Sequence, residues 1–332
     1  MIINIHPSSY MADDLYTDID NIDKKTTTGI NFYDHMKGFD KNLTNPLLDK
    51  IRDCNLTVST EYLFDSSVKL QYPTLKFHYN HDMWIRGNGV QTFKNYRRQL
   101  GLDLGINYKN FICSFNGSGH VSRRLLSSII ENQGFFNSDY SSKNFKASND
   151  QVLGHLNNLD LTEDEVELYD KFFKNTDEFN DTVYSFGHVR FDHGSNIYNL
   201  ESKLTQSFVH IVSETMATSY YPFVTEKFLY SIVTRGLFVA YAQPGWHTHI
   251  EKYYGFKLYD KIFDYSFDSI QNPVKRLIKL MEMISKFSKL SIDDWRDLYF
   301  VLEKDTIEYN HNHYFSGDYL EHLKQFDKTG DS

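Results

Sequence analysis

FVHIVSETMATSYYPFVTEKFLYSIVTRGLFVAYAQPGWHTHIEKYYGF, residues 208–256, decides the fold. It opens on Phe208–Val212, an apolar run of strand length. Thr225 then stands where an N-cap is needed, ahead of a helix expected over Glu226–Arg235 and ended by Gly236. Leu237–Tyr241 reads as the next strand, Pro244-Gly245 as a turn, and Trp246–Tyr254 as a second helix closed by Gly255. Apolar strands alternating with helices of this length predict an α/β chain with a parallel sheet and right-handed crossovers.

The same alternation extends outward. Upstream, Phe111–Phe115 predicts a strand, Asn116-Gly117-Ser118-Gly119 a small-residue turn, and Ser122–Gln133 a helix with Leu125, Leu126, Ile129 and Ile130 on one face. Further strands are expected at residues 2–6, 56–59 and 75–79, and helices at 45–55, with Pro46 in the first turn, and at 161–174. Downstream, Leu277, Leu280, Met281, Ile284 and Phe287 recur at helical spacing. Residues 175–200 are polar and contain Gly, so the boundary is drawn there. The expected architecture is two α/β halves facing across a cleft, residues 1–180 and 181–312, followed by a terminal helix or tail at 313–332.

Composition narrows the function. The 332 residues include 24 Tyr and 26 Phe, enough bulk for a sizeable core. A net charge of −9 argues against a broad phosphate-neutralising surface of the kind duplex-DNA binders carry. Cys54 and Cys113 cannot form a disulfide framework and match no metal motif. The start, MIINIHPSSYMADD, lacks a basic region and an apolar core, so no signal peptide is expected; no stretch approaches the roughly 20 apolar residues of a membrane span. The expectation is a cytoplasmic protein, in the host's cytoplasm if the chain is viral, with no membrane span.

Ser213-Glu214-Thr215 follows one strand, and Glu226-Lys227 opens the next helix. In open α/β sheets ligands bind outside the carboxyl ends of the strands, where both groups fall. A helix N-terminus offers unpaired N–H groups and a positive dipole end, which suit a diphosphate. Glu226 has the chemistry to accept two ribose hydroxyls and Lys227 to neutralise phosphate. The plain alternative is a helix start with an acid in its first turn. Arg124, beside Arg123, sits in the first turn of its helix, where a cation opposes the dipole; a purely local reason is weak there, though a solvated surface Arg is the simple alternative.

VSET, then FVTEK, a helix and GLFVAY together resemble the donor-binding motif of the family 10 (α-1,3-fucosyltransferase-like) glycosyltransferases. That motif runs approximately Phe-Glu-Asn-Ser, a gap, Tyr-Ile-Thr-Glu-Lys, a helix and a Gly-x-Val-Pro-Val strand. Related bacterial and phage glycosyltransferases carry Ser-Glu-Thr and Phe-Ile-Thr-Glu-Lys. The resemblance covers residues 205–270 and, more weakly, 110–126. Thr215, Phe223 and Leu237-Phe238-Val239 depart from the usual family residues.

The resemblance implies a GT-B fold of two Rossmann-like domains, the N-terminal one on the acceptor side and the C-terminal one binding the nucleotide sugar. Donor binding would then fall to Arg124, Ser213, Glu214, Thr215, Thr225, Glu226 and Lys227. It implies an inverting, metal-independent transferase with no cofactor and a glycan or lipopolysaccharide-type acceptor. Inversion needs a carboxylate to take the acceptor's proton; Glu61, after a predicted strand, is the candidate, with Asp65 and Asp82 as competitors and an exposed surface acid as the plain reading. The alternatives are transfer to a hydroxymethylated base of phage DNA, which needs a basic groove, or a non-catalytic nucleotide- or carbohydrate-binding protein.

Other signals read as chance or structure. Asp18-Ile19-Asp20 follows no strand, and the His247/His249 and His311/His313 pairs suit neither a helix-face zinc pair nor a finger. Trp84, Trp246 and Trp295 read as core anchors, with Trp246 also placed where it can touch the donor. No Gly-Lys-Ser/Thr follows Gly117-Ser118-Gly119, which excludes a Walker loop.

Overall fold

A computed structural model describes residues 2–5, 27–32, 48–60, 66–79, 108–116, 123, 126, 130, 138–142, 162–163, 167, 203–214, 222 and 224–329. The chain is α/β, with two four-stranded parallel sheets. The first takes β1 (Ile2–Ile5), β2 (Gly29–Phe32), β3 (Thr57–Thr60) and β4 (Lys76–Tyr79) in sequential order. A short helix, α1 (Ser66–Gln71), stands between β3 and β4. Ile30 pairs with Val58 in register, and both are buried with Leu48, Ile51, Leu56, Tyr72 and Leu75.

The second sheet holds β5 (Asn110–Asn116), β6 (Ser138–Ser142), β7 (Ser207–Ser213) and β8 (Leu237–Tyr241) in the order β6-β5-β7-β8. Every residue of β7 and β8 is buried, the pattern of strands covered on both faces. The expected division at residue 180 does not survive this pairing. β5, from the first expected half, pairs with β7, from the second, through Asn110↔Ser207, Ile112↔Val209 and Cys113↔His210. Order along the chain does not dictate which strands become neighbours; the buried apolar faces of Phe111, Ile112, Val209 and Ile211 do.

The helices are α2 (Glu226–Val233), α3 (Trp246–Tyr254), α4 (Pro273–Ser285), α5 (Ile292–Leu298), α6 (Lys304–Ser316) and α7 (Asp318–Thr329). Thr225 caps α2 and Gly255 (φ 73°) ends α3, as the spacing predicts. Asn272 accepts from the N–H groups of Val274 and Lys275 at 2.9 and 3.1 Å and starts α4, with Pro273 in its tolerated first turn. At the end of α2, however, Arg235 takes the left-handed conformation (φ 56°) rather than Gly236. Gly236 is required for space: a Cβ there would overlap the imidazole ring of His210.

One buried cluster runs from Tyr108 to Leu323. Trp295 packs its ring 4.9 Å from Phe111, 5.9 Å from Phe208 and 5.4 Å from Phe287. Trp246 lies edge-on to Phe228 and Phe238 at 5.7 and 6.2 Å and is buried, so it is a core anchor and not a donor contact. The expected terminal helix is present as α7 at Asp318–Thr329. Gly317 (φ 86°) turns the chain between α6 and α7, and Tyr314, Tyr319 and Leu323 belong to the cluster. Among the described residues no helix is long and apolar enough to cross a membrane.

Candidate functional site

The second sheet winds both ways from its middle. From β5 the chain goes outward to β6, then returns to the far side of β5 for β7 and β8. The switch therefore falls between β5 and β7, where open α/β sheets leave a crevice outside the carboxyl ends. The β5–β7 register runs as far as Cys113↔His210. Beyond it, β5 stays paired with β6 to Asn116↔Ser142, and β7 with β8 to Ser213↔Tyr241. The sheet thus keeps its outer ladders while the central one stops short of the strand ends.

Both stretches singled out in the sequence leave from this place. After β5, Arg123, Leu126 and Ile130 are helical and buried at spacings that share one face. The buried cation is therefore Arg123; Arg124 lies outside the described residues, as do Gly117–Gly119. β7 ends on Ser213, 4% exposed, whose Oγ is buried without a hydrogen-bond partner. Glu214 follows, and its N–H donates to Tyr241 O at 3.0 Å, extending the ladder to β8 by one step. Thr215 lies outside the described residues.

The side chain of Glu214 is fully buried and turned toward the start of α2. Oε1 accepts from the Thr225 N–H at 3.1 Å, and Oε2 from the Thr225 hydroxyl at 2.6 Å. The Lys227 ammonium donates to Thr225 Oγ1 at 2.8 Å and stands 3.5 Å from Glu214 Oε2. Thr225 Oγ1 also accepts the Lys227 N–H at 3.4 Å. The result is a chain of carboxylate, hydroxyl and ammonium, with Thr225 3% exposed and the Lys227 side chain 22% exposed. Glu214 thus grips the helix cap from inside instead of lining a pocket from the solvent side. Glu226 is the first residue of α2; its side chain lies outside the described residues.

At the same sheet edge α3 begins, and its N-terminus is differently built. Asp268, in a 3-10 segment at Tyr265–Ser269, accepts from the N–H groups of His247 and Thr248 at 3.2 Å and from His247 Nδ1 at 2.7 Å. Burial pushes the Asp268 carboxyl up, but these hydrogen bonds outweigh it and hold it below its ordinary value. The Ala240 N–H donates to His247 Nε2 at 3.0 Å, so the imidazole carries its hydrogen on Nδ1 and gives it to Asp268. No sequence pattern announces Asp268, which reaches α3 from 21 residues downstream.

Neither histidine pair is open to solvent: His247, His249, His311 and His313 are all buried. Both nitrogens of His247 are used. His249 is buried, and burial, then the nearby Lys252, push it down to about 3. His313 donates from Nε2 to Tyr254 O at 2.7 Å. Among the described residues no three potential metal ligands gather. Glu61 directly follows Thr60, the last residue of β3, and lies outside the described residues with Asp65, Asp82, Asp18 and Asp20. Comparison with known protein families, with curated proteins and with solved structures finds no match to this chain.

Proposed function

We propose that the protein is a glycosyltransferase that takes its sugar from a nucleotide-diphosphate donor seated at the β5–β7 switch point. The observation that carries this reading is the adjacency of β5 and β7 where the winding reverses. The two stretches resembling the family 10 enzymes, 110–126 and 205–270, then contribute neighbouring strands. In this reading the amino end of α2 and the Lys227 ammonium hold the leaving diphosphate. Glu226 binds the ribose, and cations of the 123–124 pair face the phosphates. Glu61 takes the proton of the acceptor hydroxyl as that oxygen attacks the anomeric carbon with inversion. The acceptor is a glycan, and the donor chemistry needs no metal. A GT-B arrangement, with the first sheet on the acceptor side, is part of the proposal.

Thermal unfolding against GDP-, UDP-, dTDP- and CMP-sugars, with EDTA as control, tests it. A ligand at 100 times its dissociation constant adds about 2.7 kcal/mol, a readily measured shift in Tm. One nucleotide class is expected to stabilise the chain, with and without EDTA. No stabilisation by any of them contradicts the reading. Stabilisation without turnover of the sugar, with or without a glycan, marks a binding protein instead.

A further inference from the structure

The carboxylate of Glu214 is a buried charge at the switch point that repels the proposed ligand. It is fully buried, it follows the unpartnered Ser213 hydroxyl, and through Thr225 it is tied to the ammonium that would meet the diphosphate. The cap of α2 does not itself require this charge: Thr225 accepts the Lys227 N–H, and a neutral amide at position 214 would still accept the Thr225 N–H, though its NH2 group cannot take the hydroxyl hydrogen that Oε2 accepts. Beyond accepting that hydrogen, the carboxylate brings a charge that an amide lacks. It cancels much of the field of Lys227 and of the helix end.

That cancellation bears unequally on substrate and product. The diphosphate of a nucleotide sugar is a diester with about two negative charges. The nucleoside diphosphate left after transfer gains a terminal phosphate whose second pKa is about 6, hence about one charge more at neutral pH. A fixed negative charge behind the site repels the product more than the donor.

We infer that Glu214 is a resident counter-charge that weakens the hold of α2 and Lys227 on free diphosphate and so favours product release. This rests on the proposed donor site. It makes Glu214 a positioning and specificity residue, not a catalytic one.

The test is calorimetric titration with inorganic pyrophosphate. Glu214→Gln is expected to bind it about five-fold more tightly than the unmodified chain, from one unit charge removed at several ångströms. Adding Lys227→Met is expected to abolish the gain. Equal or weaker binding by Glu214→Gln, while the unmodified chain binds pyrophosphate, overturns the counter-charge and leaves the donor site standing. Binding by neither chain, together with no stabilisation by any nucleotide sugar, overturns the donor site itself. If Glu214→Gln does not fold, Thr225→Val provides the second reading. It removes the hydroxyl between the charges, lets Lys227 close on Glu214, and is expected to weaken pyrophosphate binding several-fold; unchanged affinity overturns the inference.

Discussion

Two helices, α2 and α3, start at the same edge of the second sheet, and each has a buried carboxylate at its N-terminus. At α3 the carboxylate of Asp268 takes first-turn N–H groups directly and adds an imidazole, so the donors an anion would use are consumed. At α2 the carboxylate of Glu214 stops one residue short, on the cap residue Thr225, and a partly exposed ammonium stands beside it. The same ingredients close one helix end and leave the other with a cation and a dipole. What separates a structural cap from a candidate anion site is where the carboxylate lands relative to the first turn.

The comparison breaks most visibly at α3. Asp268→Ala leaves the His247 Nδ1–H and two helix N–H groups unpaired in the interior, a loss of about 4 kcal/mol in urea unfolding. Any fraction that folds should still gain stability from the nucleotide sugar that stabilises the parent. Acid should act on the same end. The folded-state value of His249 lies below its unfolded one, so the unfolded chain binds more protons as pH falls below about 6.5. The stability it contributes is complete above that pH and is lost progressively toward pH 3, by about 4 kcal/mol. His249→Phe should flatten that slope; an unchanged slope would move the cause elsewhere, with His210, pushed down to about 4 by burial, next in line.

Effects at α2 should be smaller on stability and larger on ligand. Lys227→Met strands the buried Glu214 charge, but the pair is 3.5 Å apart and the Lys227 side chain 22% exposed, so the loss should be about 2 kcal/mol. The double variant with Glu214→Gln should recover most of it, while nucleotide-sugar stabilisation disappears in both. Recovery of neither would show that the two charges are not coupled. Thr225→Ala, removing the cap hydroxyl, should cost about 1 kcal/mol by thermal unfolding.

Much of the second sheet was legible in the sequence because its signals are local. β5, β7 and β8 are dense apolar runs, Thr225 and Gly255 are caps of the types helices favour, and Leu277, Leu280, Met281 and Ile284 keep a helical period. Where the signal is not local it failed. β6 reads Ser-Asp-Tyr-Ser-Ser and lies at a sheet edge, where no continuous apolar run is needed. β2 reads Gly-Ile-Asn-Phe, which opens on Gly and holds no continuous apolar run. The β5–β7 pairing joins segments nearly 100 residues apart, so a polar stretch between them looked like a domain linker. At the site, the Thr-Glu-Lys start of α2 was visible. The inward turn of Glu214 was not, because it depends on Thr225, 11 residues away, being placed against the end of β7. Arg123 had a signal, its spacing of three and seven from Leu126 and Ile130, that points to burial on the face those residues share.

Hydrogen exchange with and without a saturating nucleotide sugar tests the central claim most directly. Slowed exchange is expected at residues 224–229 and in the segment after β5, with the start of α3 unchanged. Protection confined to α3, or to neither helix end, would contradict a donor site at the β5–β7 switch.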